Sequence, residues 1–173
     1  MGNCIWIAEE RPHYVKFRFR HIPGIGPVTA TYLLDSNLQG IGRIIEPYDL
    51  WAVYELYCGD LEKFRELMHK VLPGLQRCHI INCVQYLDKI SCKINDQKII
   101  KTLSIAIRRG PEDAIREEGF KSTMTYIYAN LNEDWKGEYY DKYLIHKYAS
   151  KIITKLLIDE YKEIHGPNIL FYL

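Results

Sequence analysis

The chain has 173 residues, 47% of them hydrophobic, with 23 Lys and Arg against 22 Asp and Glu for a formal net charge of +1. That size and apolar content suit one ordinary domain with a real core, and the near-neutral charge excludes a whole-protein field drawing it to nucleic acid. No apolar stretch reaches the length of a membrane span and no signal-peptide blocks open the sequence, so an intracellular, cytoplasmic protein with no membrane partner is expected.

Met1-Gly2-Asn3-Cys4 looks like the start of an acylated protein, but Trp6 stands where that signal needs Ser or Thr. The five cysteines Cys4, Cys58, Cys78, Cys83 and Cys92 are odd in number and irregularly spaced, which favours reduced, mostly buried thiols. Cys78-His79-x-x-x-Cys83 lacks the short spacing of zinc sites, so no metal and no cofactor are expected.

The amino-terminal segment supports two readings. Tyr14-Val15-Lys16-Phe17-Arg18-Phe19-Arg20 alternates like a half-buried strand, and residues 4–8 could pair with it in a short β-hairpin. A helix over residues 12–21, placing Val15, Phe19 and Ile22 on its inner face, is the favoured reading, as the motif resemblance given below implies.

Downstream the pattern is helical throughout. Pro47 fits a first helical residue and opens a helix running to about Cys58, ahead of Gly59. Asp60 caps a segment with Leu61, Phe64, Leu67, Met68 and Val71 on one face, stopped at Pro73-Gly74. Residues 78–90 read as a buried helix. Asn95 or Asp96 starts another, with Ile99, Ile100, Leu103, Ala106 and Ile107 inward and Arg108 and Arg109 at its carboxyl end before Gly110. Short helices follow from Pro111, closed by Gly119, and over residues 120–131. The longest covers residues 139–165, with Tyr140, Leu144, Tyr148, Ile152 and Leu156 as its inner stripe and Gly166-Pro167 as its stop. Its tyrosines and lysines could stack on and track a nucleic-acid strand, but at helical spacing core and solvated face are the better assignments.

The run Phe19-Arg20-His21-Ile22-Pro23-Gly24-Ile25-Gly26-Pro27-Val28-Thr29-Ala30-Thr31-Tyr32-Leu33-Leu34 carries the clearest chemical signal. Two glycines permit a tight turn and let a phosphate approach backbone N–H groups, and a helix starting near Pro27 aims its positive end the same way. The run resembles the helix-hairpin-helix motif of nucleic-acid-binding proteins, with Phe19, Ile22, Gly24, Ile25, Gly26, Ala30, Leu33 and Leu34 filling its constrained positions. The resemblance implies contact with the sugar-phosphate backbone through Gly24, Ile25, Gly26, Val28 and Thr29, blind to base sequence. Lys16, Arg18 and Arg20 add a basic flank, and no acidic residue occurs from Arg11 to Leu34. Residues 46–66 are acidic and are expected to face away. Leu72-Pro73-Gly74-Leu75 repeats the apolar-Pro-Gly-apolar core, but Gln76 replaces the second glycine, so a helix stop is the simpler reading.

The expected fold is mainly α, a compact multi-helix domain over residues 1–173, with the hairpin motif at 12–34 and a helical scaffold at 47–165. Three functional readings stand. The first is a nucleic-acid-binding protein, with DNA ahead of RNA as the partner. The second is a helical protein-interaction or inhibitory protein with no nucleic-acid role. The third is a DNA enzyme: residues 19–59 are more weakly similar to helix-hairpin-helix DNA glycosylases, which place a carboxylate after the hairpin at the start of the next helix, where Glu46 and then Asp49 stand. Val28 occupies the place of a lysine that many members use, and the expectation leans away from catalysis.

Overall fold

The computed structural model describes residues 13–57, 60–137 and 141–173. The expectations for residues 4–8, for the first four residues, and for Cys58, Gly59 and Tyr140 fall outside them.

The fold is mainly helical, with eight α-helices and one two-stranded sheet among the described residues. In chain order these are β1 (His13–Lys16), α1 (Pro27–Asp35), α2 (Pro47–Leu56), α3 (Leu61–Val71), α4 (Arg77–Cys92), α5 (Gln97–Arg108), α6 (Pro111–Ile115), α7 (Phe120–Asn130), α8 (Lys142–His165) and β2 (Ile169–Tyr172). Aspartates start three of the helices: Asp60, Asp96 and Asp141 accept hydrogen bonds from the backbone N–H groups of Lys63, Lys98 and Tyr143. Gly166, at φ +88°, stops α8. No described helix is long and apolar enough to cross a membrane.

α5 is the central element. Its run from Thr102 to Ile107 is buried without interruption, and it packs against α2, α6, α7 and α8. A helix surrounded on all sides must also satisfy its hydroxyls, and Thr102 and Ser104 donate to the carbonyls of Lys98 and Lys101. Leu50, Trp51, Ala52 and Val53 of α2 complete this centre. On α8 the buried line runs through Ile145, Ala149, Ile152, Ile153, Leu157 and Ile158, so the expected stripe through Leu144, Tyr148 and Leu156 is displaced by about one residue toward its edge. Cys83 lies in the core, and burial pushes its thiol up to about 12. Cys78 and Cys92 are exposed, against the expectation of mostly buried thiols.

The favoured helix over residues 12–21 does not form in the described part of that range. β1 pairs in parallel with β2, from His13 opposite Ile169 to Lys16 opposite Tyr172, and a 3-10 turn over Phe19–His21 follows. The physical reason is periodicity. From Tyr14 to Arg20 burial alternates strictly, with Val15, Phe17 and Phe19 inward between exposed Tyr14, Lys16, Arg18 and Arg20, which is the period of an extended chain and not of a helix. A helix would have turned Phe17 outward. Among the described residues the partner of β1 is the distant β2, in parallel. Phe17, His21, Tyr161 and Phe171 form an aromatic cluster with ring centroids 5.1–6.1 Å apart that clamps this sheet to the end of α8.

Candidate nucleic-acid interface

Ile22-Pro23-Gly24-Ile25 forms a tight turn closed by the Ile25 N–H donating to the Ile22 carbonyl at 3.1 Å. Gly24 has φ +86°, the value a type II turn requires at its third residue, and Pro23 supplies the fixed φ before it. Ile22 and Ile25 are buried and anchor the turn to the core. Gly26 then caps α1 at φ −87° and ψ 177°, with no side-chain cap, and Pro27 takes the first helical position. The first-turn amides of a helix have no intrahelical acceptor, so α1 presents bare donors beside an exposed Gly26 and Val28.

The two glycines have different reasons to be glycine. A Cβ on Gly24 would collide with the backbone carbonyl of His79, at the start of α4, and the positive φ would strain any other residue. At Gly26 nothing lies within 4 Å of the added carbon, and its φ suits any residue. Neither packing nor conformation demands a glycine there.

Gly24 touches α4 because a second turn of the same construction lies beside it. Leu72-Pro73-Gly74-Leu75 is closed by Leu75 N–H to the Leu72 carbonyl at 3.1 Å, Gly74 has φ +83°, and Gln76 caps α4 without a side-chain hydrogen bond. Here the turn does join two helices, α3 and α4, which makes it the fuller helix–turn–helix of the pair. The helix stop expected at Pro73-Gly74 is where α3 ends, and the same turn leads directly into α4. Two shallow grooves of about 640 and 320 Å³ run between the turns, sharing Thr29, Leu75 and His79. Arg20, His21 and His165 line the larger groove, and neither groove has an Asp or Glu among the described residues that line it. The sequence carried a sign of this, because residues 67–87 contain no acidic residue and include Lys70 and Arg77.

The structure gathers the expected residues unevenly. Gly26, Val28 and Thr29 share the grooves with the second turn. Ile25 contributes no free donor, since its N–H is spent inside the turn and its side chain is buried. Arg18 and Arg20 are exposed and line an adjoining cleft with Pro27, Ala30, Ile45 and Glu46. Lys16 lies elsewhere, paired with Glu46 at 3.4 Å. His21 sits between turn and sheet, where its Nδ1 accepts from the Arg18 N–H at 2.8 Å. Burial, and then the charge of Arg20, hold its imidazole below the usual pKa.

The two carboxylates also separate. Asp49 accepts from the Ile45 and Glu46 N–H groups at 3.1 and 3.0 Å and pairs with Arg108 at 3.1 Å, in a site where the two side chains are 11% and 6% exposed. Arg108 also donates to the carbonyls of Ile41 and Arg43, so this carboxylate fastens the loop before α2 to the end of α5. Glu46 stands partly exposed at the start of α2, where it faces the cleft lined by Arg18 and Arg20. The leading residue of the acidic segment therefore adjoins the basic flank instead of facing away from it.

No family model, curated protein or solved structure matches this chain.

Proposed function

We propose that the protein binds the phosphate backbone of nucleic acid without reading base sequence, through two adjacent Pro-Gly turns and the helix N-termini that follow them. One observation carries this reading: the N-termini of α1 and α4, neither closed by a side chain, open onto neighbouring grooves with no carboxylate among the described residues that line them. Gly26 supports it, because a glycine that neither packing nor backbone conformation requires leaves room for a phosphate at the amides of α1. Arg18, Arg20 and the exposed Arg77, at the first position of α4, supply the charge that would hold a strand across the site. Duplex DNA is the first ligand to try.

A mobility-shift titration with single- and double-stranded DNA and RNA tests this at two salt concentrations. Cations neutralising about three phosphates give a log–log slope near −2.7, so affinity should fall roughly fortyfold between about 50 and about 200 mM salt. Replacing Arg18 and Arg20 with glutamine should reduce that slope by about 1.8 and leave the salt-insensitive amide contacts in place. Absence of any shifted probe at low salt would remove nucleic acid from the function.

A further inference from the structure

On the other side of Glu46 and Pro47 a second cleft, of about 350 Å³, lies between β1, the start of α2 and the outer face of α8. Its size is at the lower end of the range of small-ligand sites, about 300–1,000 Å³. Lys147 and Lys151 line it from α8, one helical turn apart, and Lys16 joins them from β1. Lys142, on the same helix, is matched by Glu112 at 3.2 Å. Lys147 and Lys151 have no carboxylate within ion-pair distance among the described residues, while the one acidic lining residue, Glu46, is already matched by Lys16. Two like charges a turn apart cost stability on a bare helix, and an anion between them would relieve it.

The rest of the wall is flat and apolar. Tyr48 and Tyr172 offer ring surface over a floor of buried Phe17 and Pro47, with Tyr48 edge-on to His146 at 6.4 Å. Thr154 adds a hydroxyl, while the Ser150 hydroxyl is buried, donates to the His146 carbonyl at 2.7 Å and is hydrogen-bonded with Tyr48.

We propose that this cleft binds a nucleoside 5′-monophosphate, with its phosphate held by Lys147 and Lys151 and its base against the aromatic wall. The unit can come free or as the 5′-phosphorylated end of a strand, and both present the same chemistry. The site shares no phosphate-binding group with the paired turns and does not rest on them.

Calorimetric titration of the whole protein with AMP, adenosine and inorganic phosphate tests the assignment. A short single strand is titrated alongside, with and without a 5′-phosphate. AMP should bind at least tenfold more tightly than adenosine, and a Lys147→Gln/Lys151→Gln protein that keeps its melting temperature should lose that preference while its adenosine affinity stays unchanged. A 5′-phosphate gain on the strand, cancelled by the same double variant, identifies a strand end as the source; a gain for AMP alone identifies the free nucleotide. A Gly26→Asp protein should retain AMP binding, which separates this site from the turns. Equal affinity for AMP and adenosine, a preference that survives the double substitution, or no binding of AMP overturns the proposal.

Discussion

Gly24 lies directly against the backbone carbonyl of His79, so that the two Pro-Gly turns are locked together with no room for a Cβ between them. The contact joins two segments far apart in sequence and fixes the relative placement of α1 and α4. It predicts that Gly24→Ala is destabilising on two counts, the collision and the positive φ. The conformational part alone costs about 1–3 kcal/mol. Urea unfolding followed by circular dichroism should show a midpoint lowered accordingly, and an unchanged midpoint would mean that the turns are not packed as described.

The Arg108–Asp49 pair makes a separate prediction, about the loop that carries Glu46. Both side chains are nearly buried, and Asp49 also closes the start of α2 by accepting from two backbone amides. Breaking a buried pair from one side leaves the other charge without compensation, at a cost of about 3–5 kcal/mol. Arg108→Leu and Asp49→Asn should each approach that loss, and the double variant should lose much less than their sum. Strict additivity in the double-mutant cycle would show that the two groups act independently.

The helices were legible because their signals are local. The inward face of α5 and the caps at Asp60 and Asp96 need only a few consecutive residues to be read. β1 was not, although its alternation was visible, because what decides between strand and helix is pairing with Ile169–Tyr172 at the far end of the chain. The aromatic cluster around Phe17 likewise draws Tyr161 from α8 and Phe171 from β2. The second turn is hard to see in the sequence because Gln76 replaces a glycine. Its φ of −71° needs no glycine, and the positive φ that does falls on Gly74, which is present. Gly26 shows the reverse: a glycine that the fold itself does not require.

His21 should make stability depend on pH. Its Nδ1 accepts the Arg18 N–H, and its ring is packed in the cluster with Phe17, Tyr161 and Phe171, so the folded protein favours the neutral imidazole. A base whose folded pKa lies below its unfolded value of 6.5 binds more protons when unfolded. Its contribution is therefore present above pH 6.5 and is lost as pH falls from there through the lower folded pKa. Urea midpoints at pH about 7.5 and about 5.5 should differ, lower on the acid side, and His21→Gln should narrow the difference. An equal drop in the variant would place the titration at another group.

Gly26→Asp separates a structural role from a binding role by sign. Position 26 already has the extended backbone of an N-cap, with open space where a side chain would go. An aspartate there can accept from the first-turn amides and complement the helix dipole, so stability should hold or rise by a few tenths of a kcal/mol. The same carboxylate would occupy the place proposed for a phosphate and repel one. Nucleic-acid affinity should then fall at least about tenfold, the equivalent of 1.4 kcal/mol. A glycine needed only for folding would show the opposite pattern, with stability lost and binding by the remaining folded protein unchanged. Thermal melting and a low-salt mobility shift on the same preparation read both quantities together.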